Sequence, residues 1–449
     1  MVVAFSPNMI FYYLAIHSIV CFIPSESIGF TLRLIPRFSP ESPLYPGNLT
    51  FEEQLDQAIE LSKSRANYID FLSTPESSLS PDNIRFWVRP DNFFYTTEVT
   101  LGTPTSPQQL LVDTGSGLIW TQCAPCINCY DQSIPIFNRD QSRTYSKVPC
   151  DDPICARHKC LNGECVYQTN YAGGAVSRGL VSKETFTFTT DQGLVRVPNI
   201  VFGCGNDNQK FAFDGRRISG ILGLDMGPDS LTMQLFNQIQ GRFSYCLVYS
   251  KAEMTASSPL RFGEDTVLPP RPDIRTISIV KQRRFKNIYV KLVDVSVGDK
   301  RLGFPPGTFD LDTNTGLGGC LFDTGALGMY FNQGPYDAVM KEFDDHFSSF
   351  GLKRISVGKD LRYCYNYHPK FRAYAKMTLH FPTADYVVEP TYLYFHYERK
   401  GYFCVGVFIY PGQQQKTIIG SWLQQDMRLL YDLNFGVVRF MPENCAADQ

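Results

Sequence analysis

Short runs of alternating apolar and polar residues recur along most of the chain, and Gly, Pro and Asn separate them. From about residue 93 onward they include Tyr95–Leu101, Glu184–Thr189 and Lys291–Val297. Alternation over a few residues between turn residues predicts half-buried β-strands. Helical spacing of apolar residues is found in few places, near Ser230–Ile239 and over Tyr336–Phe347. The pattern predicts a mostly-β fold with a few short helices.

The N-terminal part of the chain follows a different pattern. Residues 9–23 are apolar and contain no Lys, Arg, Asp or Glu, and small residues stand at positions 25 and 27. This run is shorter than the roughly 20 residues of a membrane-spanning helix. It predicts a cleaved signal peptide, residues 1–27, the alternatives being a signal anchor or an apolar tail of the fold.

Residues 28–82 form a second N-terminal unit. Thr50 and Glu53 have the spacing of a capping box and open a predicted helix that ends near Leu72. Residues 73–82 are rich in Ser and Pro, as in a linker. A small unit between a signal peptide and such a linker predicts a propeptide, and a structural N-terminal subdomain is the alternative.

Composition and charge narrow the function classes. Of the 449 residues 43% are hydrophobic and 19% are charged, and the formal net charge is −2. This composition argues against intrinsic disorder, and the lack of a basic excess argues against a nucleic-acid partner. Fourteen cysteines favour an oxidising compartment. The mature protein is therefore predicted to be secreted, soluble and without a membrane span.

The chain also repeats itself. Leu111–Ser116 reads LVDTGS, and Leu321–Ala326 reads LFDTGA. About a hundred residues after each copy stand two aliphatic residues and a glycine, Ile221–Gly223 and Ile418–Gly420. Two similar pieces in the same order predict two similar β lobes, residues 83–270 and 271–449, that face each other across a pseudo-twofold axis.

The repeated Asp-Thr-Gly turn carries the chemistry. Glycine tolerates a positive φ, and the threonine hydroxyl can bond local backbone groups. If the two turns meet at the axis, Asp113 and Asp323 share one site, and two carboxyl groups that close hold one proton between them. The ionised group can act as general base on a water and its protonated partner as general acid. This chemistry needs no metal, no cofactor and no covalent intermediate.

With these motifs the chain resembles the pepsin-like aspartic peptidases, and more closely their nepenthesin-type plant branch, from about Phe30 to Cys445. The resemblance implies a bilobal fold and catalysis by Asp113 and Asp323. It also implies that the residues after each aspartate support the dyad: Thr114, Gly115 and Ser116 in the first lobe, and Thr324 and Gly325 in the second.

The resemblance further implies a flap, a hairpin that closes over a bound peptide. Residues 165–175 match the branch pattern, which makes Tyr171 the flap tyrosine and Trp120 its hydrogen-bond partner. A packed strand aromatic is the alternative for Tyr171. Gly173 and Ala175 replace an Asp and a Ser of the pattern, so we expect a looser grip on the substrate.

Two apolar residues, Ile218 and Ile221, stand where the family lines its principal specificity pocket, together with Phe211 or Phe213. This implies a preference for large hydrophobic residues at the cut. Ordinary core packing is the alternative for all of them.

Two further positions depart from the family pattern. Ala326 replaces a Ser or Thr, which removes a hydrogen bond to the ionised carboxylate and should raise the pKa of the pair. The activity optimum is therefore predicted at a higher pH than that of pepsin, and a maximum below about pH 3 would contradict this. Residues 223–227 read GLDMG where the branch has GLGRG. Asp225 thus replaces a glycine, and the sequence alone assigns this change no consequence.

Seven cysteines lie between Asp113 and the flap. Their spacing is also compatible with zinc, with His158 nearby, but disulfides fit a secreted chain better. Cys21 belongs to the signal peptide and Cys320 is left as a buried odd thiol. The one glycosylation sequon, at Asn48, lies in the propeptide. The pairs that the resemblance implies are Cys123–Cys126, Cys129–Cys204, Cys150–Cys165, Cys155–Cys160, Cys246–Cys445 and Cys364–Cys404.

The sequence therefore predicts a secreted, monomeric aspartic endopeptidase that is made as a zymogen and acts on polypeptides in the apoplast or the vacuole. The alternative is a weak or inactive relative that binds and inhibits another enzyme. Such relatives lose a dyad residue or rebuild the flap, whereas both Asp-Thr-Gly turns are intact here. A zinc module and a two-carboxylate glycosidase have no further support in the chain.

Overall fold

The computed structural model describes residues 29–36, 47, 49–56, 59, 95–170, 175–190, 193–211, 218–249, 257–282, 284–357 and 361–447. The predicted signal peptide, Asn48, the predicted helix end near Leu72 and the predicted linker at 73–82 lie outside these residues. The helices of the described part are α1 (51–56), α2 (Leu231–Gln234) and α3 (Gln333–Ser349). Short 3-10 turns cover Arg139–Gln141, Cys155–Arg157, Gly263–Asp265, Pro390–Tyr392, Glu398–Lys400, Ser421–Gln424 and Cys445–Ala447.

Strands dominate the chain. They are β1 (Phe30–Pro36), β2 (Tyr95–Leu101), β3 (Ser106–Asp113), β4 (Trp120–Ala124), β5 (Phe137–Asn138), β6 (Ser146–Lys147), β7 (Lys159–Leu161), β8 (Glu164–Asn170), β9 (Val176–Thr190), β10 (Gly193–Gln209), β11 (Gly220–Gly223), β12 (Arg242–Cys246), β13 (Ser258–Phe262), β14 (Arg275–Ser278), β15 (Tyr289–Val290), β16 (Asp294–Val297), β17 (Lys300–Arg301), β18 (Cys320–Asp323), β19 (Met329–Phe331), β20 (Arg354–Val357), β21 (Leu361–Asn366), β22 (Met377–His380), β23 (Asp385–Val388), β24 (Tyr394–Tyr397), β25 (Tyr402–Val405), β26 (Val407–Ile409), β27 (Thr417–Gly420), β28 (Met427–Asp432) and β29 (Val437–Pro442).

The same arrangement of strands occurs twice. In the first lobe β11 lies parallel to β3 and antiparallel to β4, which in turn lies parallel to β10. In the second lobe β27 lies parallel to β18 and antiparallel to β19, which lies parallel to β26. The sequence repeat is therefore a repeat of structure. The mostly-β, bilobal architecture predicted from the sequence is confirmed.

A long sheet runs through the first lobe and into the second. Its order is β14-β29-β28-β12-β13-β1-β2-β3-β11-β4-β10-β9-β8-β7. Near one end, β28 and β29 from the C-terminal part of the chain pair with each other, and β28 pairs with β12 of the first lobe. The lobes are thus joined by continuous backbone hydrogen bonding as well as by packing.

Strand β1, from the N-terminal unit, is part of this sheet. Strand β1 pairs with β13 on one side and with β2 on the other. Phe30 is buried between Phe188 and Phe262, with ring centroids 5.2 and 4.5 Å apart. The capping box is present, since the backbone N–H of Thr50 donates to Glu53 (2.8 Å) and that of Glu53 donates to the Thr50 hydroxyl (3.3 Å).

The two helices predicted in the later part of the chain are present with shifted ends. Helix α3 begins three residues before the predicted start because Pro335 is tolerated in a first helical turn. Its buried face includes Tyr336, Val339 and Phe343. Helix α2 is shorter than predicted. The hydroxyl of Ser230 caps it (3.2 Å to the N–H of Met233), and only turns follow it up to residue 241.

Four of the six predicted disulfides are wrong. The structure has Cys123–Cys204, Cys126–Cys129, Cys150–Cys160 and Cys155–Cys165 in place of Cys123–Cys126, Cys129–Cys204, Cys150–Cys165 and Cys155–Cys160. It joins Cys246 to Cys445 and Cys364 to Cys404, as the resemblance implies. Cys320 is free and buried, and burial raises the pKa of its thiol.

Burial explains the corrected pairs. Cys123 and Cys204 lie on the neighbouring strands β4 and β10 and are both fully buried. The exposed Cys126 instead closes a surface loop with Cys129. In the same way the buried Cys155 and Cys165 pair inside the Cys-rich insertion, while Cys150 pairs outside with the exposed Cys160. In each of these four disulfides, a buried cysteine therefore pairs with another buried cysteine, and an exposed one with a partner that is not fully buried.

Candidate active site

The two aspartates occupy equivalent places in the two lobes. Asp113 is the last residue of β3 and Asp323 the last residue of β18. Each lies opposite the glycine that ends the parallel neighbouring strand, Gly223 in β11 and Gly420 in β27. Both aspartates are fully buried. The apolar strands thus carry each carboxyl group to the turn at the strand end.

The repeated aliphatic-aliphatic-glycine motif has a steric cause. A Cβ at Gly223 would stand 2.3 Å from the carbonyl oxygen of Gly117. A Cβ at Gly420 would stand 2.4 Å from that of Leu327. The backbone that follows each aspartate lies directly on these glycines, so only glycine fits at either position.

Each Asp-Thr-Gly turn holds its own carboxylate. The N–H of Gly115 donates to Asp113 Oδ1 (2.9 Å), and that of Gly325 donates to Asp323 Oδ1 (2.8 Å). A carboxylate that accepts backbone N–H bonds is oriented and stabilised in its charged form. The two turns are therefore alike in their inner hydrogen bonds.

The threonines link the two lobes reciprocally. The N–H of Thr114 donates to Thr324 Oγ1 (3.1 Å), and the N–H of Thr324 donates to Thr114 Oγ1 (3.0 Å). Each hydroxyl also donates across the axis, Thr114 to the carbonyl of Phe322 (3.1 Å) and Thr324 to that of Val112 (3.0 Å). These four buried bonds bring the two Asp-Thr-Gly turns together at the interface between the lobes.

The outer hydrogen bonds differ between the lobes. The hydroxyl of Ser116 donates to Asp113 Oδ2. Ala326 has no hydroxyl to offer Asp323, and its N–H donates to the backbone carbonyl of Asp323 (3.3 Å). The difference between Ser116 and Ala326 in the sequence is thus a difference in the hydrogen bonds that the two carboxylates accept.

Adding a hydroxyl at position 326 and removing the one at position 116 should shift the pH dependence of activity in opposite directions. A hydroxyl donated to a carboxylate favours its charged form. We expect Ala326→Ser to shift the pH–rate profile to lower pH, and Ser116→Ala to shift it to higher pH, each by about one pH unit. Initial rates from pH 2.5 to 7.5 measure both. If both variants have the same pH–rate profile as the unchanged enzyme, the hydroxyl bonds to the carboxylates do not set the pKa of the dyad.

Several supporting residues carry no sequence signal. The side-chain amide of Asn287 donates to the carbonyl of Gly115 (3.0 Å), so the second half of the chain holds the first turn. The hydroxyl of Tyr245 donates to Gln424 Oε1 (2.6 Å), and the amide of Gln424 donates to the carbonyl of Ile419 (2.7 Å). All three side chains are buried. No local motif marks them, because the contacts Asn287–Gly115 and Tyr245–Gln424 join residues that are distant in the chain.

The predicted apolar pocket residues lie together next to the first turn. Trp120 is fully buried, pairs with Ile221 across β4 and β11, and packs on Phe211 with ring centroids 5.0 Å apart. Ile218 belongs to the same apolar cluster. Phe213 and the flap residues Tyr171 and Gly173 lie outside the described residues, so their predicted roles remain predictions.

The arrangement can perform acid–base chemistry on a water molecule. Two carboxyl groups are held at one interface by N–H donors, and an apolar cluster lies beside one of them. Within the described ranges, no group of three or more His, Cys, Asp or Glu side chains is placed to hold a metal ion. None of the helices in the described part of the chain is long and apolar enough to cross a membrane.

Comparison with known proteins places these features in a family. Two family models match the chain, xylanase inhibitor N-terminal over residues 95–264 and xylanase inhibitor C-terminal over residues 288–442. Aspartic proteinase nepenthesin-1 of Nepenthes gracilis is 32% identical over 403 residues, which are 89% of this chain and 88% of that protein. Aspartic proteinase nepenthesin-2 of the same plant is 31% identical, with the same coverage of both chains.

A solved structure is similar in fold. The crystal structure of basic 7S globulin from soybean superposes with a TM-score of 0.61, at 18% identity, over 79% of this chain and 95% of that one. At this identity the likeness concerns the fold alone.

Proposed function

The chain belongs to the pepsin-like aspartic proteinases, and from that premise we propose that it hydrolyses peptide bonds with a water molecule activated between Asp113 and Asp323. Membership in the plant, nepenthesin-like branch makes it an aspartic-type endopeptidase. One observation carries the dyad assignment. The reciprocal Thr114–Thr324 hydrogen bonds bring together the turns that hold the two carboxyl groups.

The proposed mechanism follows from a shared proton. Two neighbouring carboxyl groups cannot both ionise readily, so one stays charged and one protonated over a wide pH range. The charged group takes a proton from the water, whose oxygen then forms a bond to the peptide carbonyl carbon. The protonated group gives its proton to the carbonyl oxygen as the C=O π bond opens, which leaves a tetrahedral diol. The first group then gives the proton it took from the water to the peptide nitrogen, and the C–N bond breaks. One diol hydroxyl returns a proton to the second group as the C=O bond forms again, and the amine and the carboxylic acid leave. No covalent enzyme intermediate forms.

The proposed specificity rests on the apolar cluster beside Asp113. Ile218 and Ile221 are buried there with Trp120, and Phe211 is half-buried against Trp120. An apolar wall favours large hydrophobic residues at the cut. Tyr171 is proposed as the flap tyrosine that closes over the substrate, with Gly173 loosening the flap tip.

The protein is proposed to be made as a secreted zymogen. Residues 1–27 would direct export, and residues 28–82 would form a propeptide that keeps the precursor inactive. Helix α1 contacts the second lobe through its carboxylates. Asp56 accepts a hydrogen bond from the Tyr397 hydroxyl (2.7 Å) and pairs with Lys400 (3.0 Å), and Glu52 accepts from the backbone N–H of Arg399 (2.7 Å). These contacts would hold the propeptide in place.

Weakening this contact should speed conversion of the precursor. Asp56→Ala removes the bond to Tyr397 and the pair with Lys400, each worth about 1 kcal/mol. We expect conversion to be roughly fivefold faster at a fixed acidic pH. Gel analysis of the time course measures it. Tyr397→Phe removes one of the same bonds from the other side and should give a smaller acceleration; unchanged conversion in both would contradict the docking role.

The proposed function is tested with the full secreted precursor, made with its disulfides intact. It is incubated with a denatured protein substrate from pH 3 to 7, with and without pepstatin, a transition-state analogue of aspartic peptidases. Pepstatin-sensitive cleavage supports the proposal. If no cleavage occurs at any pH, even after residues up to about 85 are removed, the protein is a binding or inhibitor protein of the same fold.

A further inference from the structure

A third carboxyl group lies directly behind the first Asp-Thr-Gly turn. Asp225 is 1% exposed and follows β11 by two residues. Its backbone N–H donates to the carbonyl of Ser116 (3.1 Å), the residue whose hydroxyl bonds Asp113. The N–H of Leu224 donates to the carbonyl of Asp113 (2.9 Å). The loop that carries Asp225 is therefore bonded to the turn that carries the dyad.

The Asp225 side chain is only partly satisfied. Its Oδ1 accepts a hydrogen bond from the N–H of Gly227 (2.6 Å), and its Oδ2 has no partner among the described residues. A Cβ added at Gly117 would stand 2.4 Å from Oδ1 and 3.0 Å from Oδ2, so the carboxyl group lies flat against that glycine. A buried charge in such a place is costly, whereas a neutral carboxylic acid is tolerated.

Charged groups surround Asp225 unequally. The pKa of Asp225 is raised to about 7, chiefly because the carboxyl group is buried. The backbone N–H of Gly227 and the charge of Lys286 lower this pKa, whereas the negative charges of Asp113 and Asp229 raise it further. The exposed Lys286 lies on the facing segment, where its carbonyl accepts from the N–H of Met226 (2.8 Å).

Asp229 itself is paired on its far side. Arg157 approaches one of its oxygens to 2.9 Å and His158 the other to 3.4 Å, both from the Cys-rich insertion. Both side chains pair with Asp229, and Lys286 is the cation that favours the charged form of Asp225.

We propose that Asp225 is a positioning residue of the dyad, which holds the Ser116–Asp113 side of the site in its active geometry while it is protonated and releases it when it ionises. The inference rests on the proposed function of Asp113 and Asp323. It assigns to the glycine-to-aspartate change in the GLDMG segment the role of setting the upper pH limit of the active enzyme.

The release follows from the contacts of the loop. Once charged, the Asp225 carboxylate is stabilised by hydration and by attraction to the ammonium group of Lys286, and both lie on the outer side of the loop. Movement in that direction breaks the N–H bond from Asp225 to Ser116 and so loosens the support of Asp113. The direction with pH is fixed by linkage, because the folded state keeps a proton that the unfolded state loses near pH 4. Stability therefore falls from about pH 4 to 7 and stays low above that.

The test compares Asp225→Asn and Asp225→Gly with the unchanged enzyme. Neither variant can ionise at this position, and glycine restores the branch pattern. The enzymes are held at pH 8, returned to acidic pH and assayed. We expect both variants to lose activity at least about tenfold more slowly. Their melting temperatures should exceed that of the unchanged enzyme by about 5 °C at pH 8, and the excess should shrink toward pH 4.

Two further variants keep the outcome unambiguous. Lys286→Gln removes the cation that favours the charged form and should move the pH of inactivation upward. Asp294→Asn is a matched control, for which the expected change in melting temperature near neutral pH has the opposite sign. Burial alone would raise the pKa of Asp294, but Arg301 and the N–H groups of Val295 and Phe304 hold it below its ordinary value. Its replacement should lower the melting temperature near neutral pH.

A constant melting-temperature difference between Asp225→Asn and the unchanged enzyme across pH 4 to 8, with coincident inactivation, would overturn the proposal. Melting is read without substrate. If the precursor proves to have no peptidase activity, the pH dependence of melting still decides the role of Asp225 separately from the proposed function.

Discussion

Replacing either aspartate of the dyad by asparagine should abolish peptide hydrolysis. Asp113→Asn and Asp323→Asn each remove a group that must exchange protons with the water or the substrate. Acid–base catalysis of this kind contributes a factor of 10² to 10⁴, and the two groups act as a unit. We therefore expect each variant to lose at least about a thousandfold in kcat, and the double variant to lose little more. Initial rates on a quenched peptide at the pH optimum measure this.

The dyad variants need a control for charge and for folding. Asp299→Asn makes the same change at an exposed turn of the second lobe and should leave kcat unchanged. Melting temperatures of all variants show that they are folded. A dyad variant that keeps more than a tenth of the activity, still sensitive to pepstatin, would place the catalytic pair elsewhere.

Replacing a dyad threonine by valine should cost both stability and activity. Thr114→Val keeps the shape of the side chain, but it leaves the buried N–H of Thr324 and the carbonyl of Phe322 without that hydroxyl. Each unsatisfied group costs about 1–3 kcal/mol, so we expect a loss of about 2–4 kcal/mol in the free energy of unfolding. Because the turn is no longer held against the other lobe, kcat should fall by about a hundredfold.

The free energy of unfolding is best measured in the inactive Asp113→Asn background, which removes self-digestion during unfolding, whereas kcat is measured in the otherwise unchanged enzyme. Thr114→Ser keeps the hydroxyl and should recover most of the loss. Thr324→Val should match Thr114→Val, and the double variant should cost less than the sum, because the two side chains belong to one network. Additive losses would mean that the lobes are held together by other contacts.

The sequence predicted correctly those strands and helix starts that are determined by neighbouring residues in the chain. The strand Tyr95–Leu101 has the bounds that its alternation predicts, and the Thr50–Glu53 capping box forms as expected. The run Lys291–Val297 behaves differently, since only Asp294–Val297 is a strand. The chain changes from the sheet that contains β15 to the sheet that contains β16 within this run, a change that alternation does not reveal.

The candidate site was predictable where the chain repeats itself. Asp113, Asp323, Gly223 and Gly420 could be found because each of their motifs occurs twice in the chain. Asn287 could not be found in this way, because its role depends on a contact with Gly115 across the lobe interface. Four of the six disulfide pairs were predicted wrongly for a related reason. Their partners are decided by which sulfurs face inward, and spacing along the chain does not contain that information.

Strand β1 has a consequence for how the enzyme reaches its final form. Phe30–Leu34 pair with β13 and Ile35–Pro36 with β2, so the segment is flanked on both sides within the long sheet. If residues 28–82 leave on maturation, as proposed, the cut also removes a strand from between two others. The mature enzyme is then a rearranged molecule and not merely a shortened one. Once unfolded, it lacks a strand that belonged to the sheet when the precursor folded, so its persistence depends on slow unfolding more than on the ability to refold.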